Sequence, residues 1–216
     1  MKVSIEQVGK NSLERAELLL AGFPGAVDKA LRSAISRTAQ RVRSQSAKRI
    51  QERYAISAAN LRMEENAKVS YSYSPGEGME ASILFRGRKI PLHRYDGASP
   101  AGPTYDRSSK VPVHTSSGWI MASPGVQASG HQLRSTSPKK FEDAFVARFR
   151  SGHVGIFERT GGVTASGRDE IRELMGSSIP QMIGSDEVTE ALSNDAGLEF
   201  DKRMTHEVDA ILNGWR

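Results

Sequence analysis

The strongest periodicity in the chain lies just after Pro24. Val27, Leu31, Ile35, Thr38, Val42 and Ile50 recur at intervals of three and four with one eight-residue step, so they share one face of a helix. Pro24 suits the first turn of such a helix. The pattern predicts an amphipathic helix from about Gly25 to Arg53, roughly 40 Å long at 1.5 Å per residue. Near the other end of the chain, Val188, Leu192, Phe200, Met204, Val208, Ile211 and Leu212 repeat in the same way. Ser185 caps this second helix, Asp186, Glu187 and Glu190 complement its dipole, and Gly214 ends it.

Between these helices the period shortens to two. Ala67–Tyr73 (AKVSYSY) and Met79–Phe85 (MEASILF) alternate on either side of Pro75, Gly76, Glu77 and Gly78, which predicts a β-hairpin. Arg86 to Lys89 forms a second turn into Ile90, Pro91 and Leu92, where the proline argues for an edge or a strand end. Phe141 to Phe149 and Gly155 to Arg159 face each other across the Ser151-Gly152-His153 turn, and a Gly-rich tip follows at 161–167. At the N-terminus Val3 to Val8 alternate, and Ser12 heads a helix carrying Leu13, Ala16 and Leu20. Ser57 can cap a short helix from Ala58 to Met63.

Residues 93–140 are the least regular part, with Pro100, Pro103, Pro112, Pro124 and Pro138 among many Gly and Ser; Val111–His114 and Gly118–Met121 read as short strands within them. The whole predicts an α+β fold: a long amphipathic N-terminal helix and a C-terminal helix packed on a small antiparallel sheet. It reads as one domain over 1–216 with an irregular insertion at about 93–140.

Charge changes this picture more than composition does. The net charge is only +5, but residues 29–53 hold eight basic side chains and one acidic, whereas the stretch from Arg168 onward holds five basic and eleven acidic. Two such segments can attract within one subunit, attract between subunits, or serve different partners. Arg37, Arg41 and Lys48 cluster on one flank of the long helix, away from its apolar stripe. They are candidates for DNA phosphates or an acidic neighbour, against the alternative of a solvated face.

Little in the sequence points to catalysis. There are no cysteines, so neither a disulfide nor a thiolate zinc site can form, consistent with a reducing cytoplasm. No segment approaches the roughly 18 apolar residues of a membrane span. His93, His114, His131, His153 and His206 form no HxxxH or HxxH pair, and the GxSxG, GxxxxGK[ST] and GxGxxG motifs are missing. No catalytic, metal or cofactor-binding residue is therefore expected. His153, flanked by Arg148, Arg150 and Arg159, reads as a hydrogen-bonded turn histidine or an interface contact, since nothing nearby in sequence supplies a nucleophile. Trp119 and Trp215 read as packing residues.

The segment 141–161 (FEDAFVARFRSGHVGIFERTG) sets Phe141, Phe145, Phe149, Ile156 and Phe157 among Arg148, Arg150 and Arg159, and Ile171 to Pro180 (IRELMGSSIP) follows. This pattern resembles the prophage minor tail protein Z family. The resemblance extends through Ala30–Ala39 (ALRSAISRTA), Arg53 to Ile56, Gly87 to Leu92 and the acidic C-terminal helix, but not through 93–140. It implies a non-enzymatic, cofactor-free tail-completion or neck component that helps join tail to head. Such a protein would assemble with its own copies as a ring, such as a hexamer, and contact neighbouring tail and neck proteins. DNA in the lumen would be a further contact, with the virion as its location and the host cytoplasm as its place of assembly. The alternatives are a basic nucleic-acid-binding protein using the 29–53 helix and, more remotely, an enzyme using His153.

Overall fold

The computed structural model describes residues 2–4, 10–74, 78–96, 111–115, 118–122, 127–137, 139–149 and 151–214. In chain order, β1 (Lys2–Ser4), α1 (Lys10–Leu19), α2 (Ala26–Arg53), α3 (Ala58–Leu61), α4 (Met63–Asn66), β2 (Ala67–Ser74) and β3 (Gly78–Phe85) come first. There follow β4 (Lys89–Pro91), a 3-10 turn (Leu92–Arg94), β5 (Val111–Thr115), β6 (Gly118–Ala122) and β7 (Gln127–Gly130). Then come β8 (Lys139–Arg148), β9 (Val154–Val163), β10 (Asp169–Glu173), β11 (Met175–Ser178), α5 (Ile179–Ile183) and α6 (Asp186–Leu212). The fold is α+β, with the long N-terminal and C-terminal helices where the periodicity puts them.

The sequence suggests one domain with an insertion at about 93–140, whereas the contacts group the chain into two compact units. One holds Met1–Arg53, Ala58–Arg88 and Ser178–Arg216; the other holds Tyr54–Ser57 and Lys89–Ser177. The second unit thus takes in the insertion and the segments on both sides of it.

In the first unit α2 packs on α6. The buried positions of α2 are Ala26, Ala30, Ala34, Thr38, Val42, Ser46 and Ile50, one every fourth residue, together with Ala39. On α6, Val188, Leu192, Ala196, Phe200, Met204 and Val208 are buried at the same spacing. The expected core residues Leu31 and Ile35 are instead half-buried and, with Val27 and Leu13, flank the buried cluster. The physical reason is size. Alanines let two helix backbones come close, and the larger Phe200 and Met204 fill the space. Each four-residue step also turns the seam about 40° beyond a full turn, so it winds around α2.

The sheet of this unit has the order β1-β3-β2. The predicted hairpin forms with Ala67 opposite Phe85 through to Ser74 opposite Gly78, without a bulge. Ala81, Ile83 and Phe85 are buried, and β3 packs against α2. Tyr71 and Tyr73 point to the flank of α2: the Tyr71 hydroxyl lies 3.4 Å from Ser36 Oγ and 3.1 Å from Gln40 Nε2, and the Arg32 guanidinium sits 3.9 Å over the Tyr73 ring.

Three helix boundaries depart from expectation. α1 begins at Lys10, so Ser12 lies inside the helix it was expected to head. The helix predicted from Ala58 to Met63 breaks at Arg62, whose left-handed backbone (φ 45°, ψ 51°) separates α3 from α4. Ser185 does sit at the N-cap of α6, but its hydroxyl donates back to the Met182 carbonyl at 2.8 Å and does not cap the helix.

The second unit is built from strands. A four-stranded antiparallel sheet has the order β10-β9-β8-β7, and β11-β4 and β5-β6 form two separate pairs. The two short strands expected within the irregular stretch are β5 and β6, paired as a hairpin. Tyr95 is buried with its hydroxyl donating to the Ser177 carbonyl at 3.1 Å. A Cβ on Gly176 would lie 2.5–2.6 Å from that ring, so only glycine fits there. Burial chiefly raises the Tyr95 pKa.

Candidate functional site

The candidate residues fall into two sets, one in each unit. The basic flank of α2 is met by α6. Arg37 Nε lies 3.5 Å from Glu207 Oε1, and Ser33 Oγ donates to the same oxygen at 2.8 Å. Glu207 is only 1% exposed, so these contacts supply the partners that a buried carboxylate requires. Further along, Arg49 binds Asp195 through both Nε (2.7 Å) and Nη2 (2.6 Å), and Glu52 through Nη1 at 2.8 Å. These bonds, Asp195 first and Glu52 second, raise the Arg49 pKa further still. Arg53 meets Glu187 at 3.1 Å.

The order of these pairs is that of antiparallel helices: 37, 49 and 53 ascend while 207, 195 and 187 descend. Of the three ways in which the opposed charges of the sequence could be used, attraction within the subunit is therefore realised. Of the predicted stripe, Arg37 is engaged in this seam. Arg41 and Lys48 are exposed. With the Gln45 amide turned to suit its neighbours, its oxygen accepts from Arg41 Nε and Nη2 at 3.0 Å each, while its nitrogen donates to Asp195 at 3.2 Å. Arg49, Asp195 and Glu207 were not singled out by the sequence, although the mirrored order of basic and acidic positions was a usable signal.

The second set surrounds the β8–β9 turn. The Phe149 amide donates to the His153 carbonyl at 2.8 Å and Gly152, with φ 85°, donates to Phe149 at 2.9 Å. His153 Nε2 lies 3.0 Å from Glu173 Oε1, and His93 Nδ1 lies 3.9 Å from the same oxygen. Thus β10, the β8–β9 turn and the 3-10 turn each contribute one titratable side chain. Gly155 makes the arrangement possible, because a Cβ there would be 2.6 Å from Glu173 Oε1 and 2.9 Å from the Phe157 ring. Phe149 and Phe157 meet edge to face with centroids 4.9 Å apart, and the His153 ring lies 6.1 Å from Phe149.

His93 Nδ1 is buried and makes no hydrogen bond. Its pKa falls below the ordinary 6.5, first through burial, then through Arg94 and His153, with Glu173 opposing. Arg159 lies on the neighbouring strand, 3.2 Å from Asp169 and with its guanidinium 4.7 Å over the Phe145 ring. Arg148 ends β8 opposite Val154. The Arg148 side chain and the whole of Arg150 lie outside the described residues, as does Trp215, and β6 places Trp119 opposite His114.

His153 is thus a hydrogen-bonded turn histidine, as one of the sequence readings has it. His93 and Glu173 were missed because they are distant in sequence and neither stands in a recognisable motif. Among the described residues no group of three or more His, Asp or Glu is placed to hold a metal ion, and no helix is long and apolar enough to cross a membrane. Compared with known proteins, the chain matches no family model, no curated protein and no solved structure.

Proposed function

We propose that the chain is a non-enzymatic structural component of a phage or prophage virion: a minor tail, tail-completion protein at the head-proximal end of the tail. In this reading copies assemble as a ring that joins tail to head, beside other tail and neck proteins, after synthesis in the host cytoplasm.

The observation that supports it best is the construction of the β8–β9 hairpin, which lies in the segment whose residue pattern first suggested this reading. Its aromatic and titratable side chains brace one another, while Phe149 (41% exposed) and Arg159 remain at the surface. That suits a contact surface, in which an aromatic and an arginine commonly anchor a partner. A nucleic-acid role is less favoured, because Arg37, Arg49 and Arg53 already have carboxylate partners in the α2–α6 seam, which leaves fewer cations for phosphates.

Labelling the subunit in intact virions and imaging the neck by electron microscopy tests the proposal. Label at the tail–head junction, with unjoined heads and tails when the gene is deleted, is the expected result. Full infectivity without the gene, and no label in virions, would overturn it. Steeply salt-dependent DNA binding by the isolated protein would move the function to the nucleic-acid class.

A further inference from the structure

The outer edge of β2 stands apart from the features used so far. It is an eight-residue strand that pairs on one side with β3 and lies at the end of its sheet. Edges of this kind are normally blunted by proline, bulges or several charges. This one has no proline, runs in unbroken register, and carries a single charge, Lys68. Tyr71 and Tyr73 beside it are 42% and 45% exposed.

We infer that β2 pairs antiparallel with β2 of a second copy about a two-fold axis through Tyr71, making a continuous six-stranded sheet. The inference goes beyond the virion reading and does not depend on it, since it concerns the isolated chain. The strand's own pattern selects a second copy as the occupant. In a sheet continued by a dyad perpendicular to its plane, opposed residues must share a face. With Tyr71 on the dyad, Tyr71 faces its own mate, Val69 faces Tyr73, Ser70 faces Ser72 and Lys68 faces Ser74. The aromatic and β-branched residues then form one cross-strand ladder and no like charges oppose, as a stable pairing requires.

The helices allow it. α2 packs chiefly over β3 and reaches β2 through Tyr71 and Tyr73, and β3 would lie three strand spacings, roughly 14 Å, from its mate. Helices over those strands would stand farther apart than the 8–10 Å or so of packed helices, so the edges can meet without collision.

The chain has no cysteine, which permits a direct test on the full-length protein. Opposed residues have Cβ atoms about 4.5–5.5 Å apart, close to disulfide range. Tyr71→Cys should therefore cross-link to a dimer under mild oxidation. Tyr73→Cys should not, because its mate would be displaced by four residues, roughly 13 Å. The Val69→Cys, Tyr73→Cys double variant should cross-link again. Sedimentation of the unmodified chain should give twice its 23.6 kDa mass, falling with dilution, and circular dichroism should confirm that each variant is folded. A monomer at all concentrations overturns the proposal. So does a dimer in which Tyr71→Cys cross-links no faster than Tyr73→Cys, or in which Ser70→Cys replaces it, because the pairing or its register would then be wrong.

Discussion

The α2–α6 seam and the β8–β9 hairpin both set carboxylates against basic side chains, but of different kinds. In the seam the cations are arginines, which stay protonated, and each of Glu207, Asp195 and Glu187 meets one. Around the hairpin the partners of Glu173 are two imidazoles, and burial lowers the pKa of one of them, His93, below the ordinary value. The seam should therefore hold over a broad pH range, while the hairpin should answer to acid. Packing differs too: the seam is close because α2 is lined with alanines, whereas the second unit gains its close approaches from single glycines at 155 and 176.

The largest expected effect tests the seam. Ile50 is fully buried, and Ile50→Ala should cost about 2–5 kcal/mol in urea unfolding. Ile35→Ala should cost less, because Ile35 only flanks the cluster. Equal losses would restore the simpler stripe of threes and fours. In the second unit, Gly176→Ala drives a methyl into the buried Tyr95 ring and should cost about 1–3 kcal/mol, read as a lower melting temperature.

These contrasts mark what the sequence could disclose. Both hairpins and both long helices were legible, because period-two and helical patterns of large apolar residues are strong signals. The seam was not, because its buried members Ala26, Ala30, Ala34 and Ser46 have side chains too small to stand out as apolar. The search for larger residues led instead to Leu31 and Ile35 on the flank. The Glu173 cluster was hidden for a different reason: His93 and Glu173 meet only through tertiary folding, and the space that Gly155 leaves them has no sequence signature.

The hairpin half of the comparison predicts a pH response of known sign. His93 has its pKa lowered in the fold below the ordinary 6.5, so the unfolded chain binds its proton more readily. The resulting stability is fully present above about pH 6.5 and is lost progressively as pH falls through that value toward the lower folded pKa. The groups facing His93 are Arg94 and His153, which favour the neutral ring, and Glu173, which opposes them. Unfolding measured between about pH 5 and 8 should show a slope of less than about 1.4 kcal/mol per pH unit from this residue. His93→Gln should remove that contribution; an unchanged slope would mean that the response comes from elsewhere.

The smallest effect on stability bears most on function. Arg41 and Lys48 are exposed, and Arg41 reaches the seam only through the Gln45 amide, so the Arg41→Glu, Lys48→Glu double variant should change stability by no more than about 1 kcal/mol per site. Adding Arg37→Glu should break this neutrality, because it sets a second carboxylate against the buried Glu207. Hydrogen bonds to charged groups are worth about 1.5–3 kcal/mol. The double variant is thus the one that can separate folding from contact. If it folds normally yet fails to complement a phage lacking the gene, the flank of α2 is a contact surface beyond the seam. Normal infectivity would show that its remaining cations only face solvent, leaving the β8–β9 hairpin as the surface through which the proposed tail role must act.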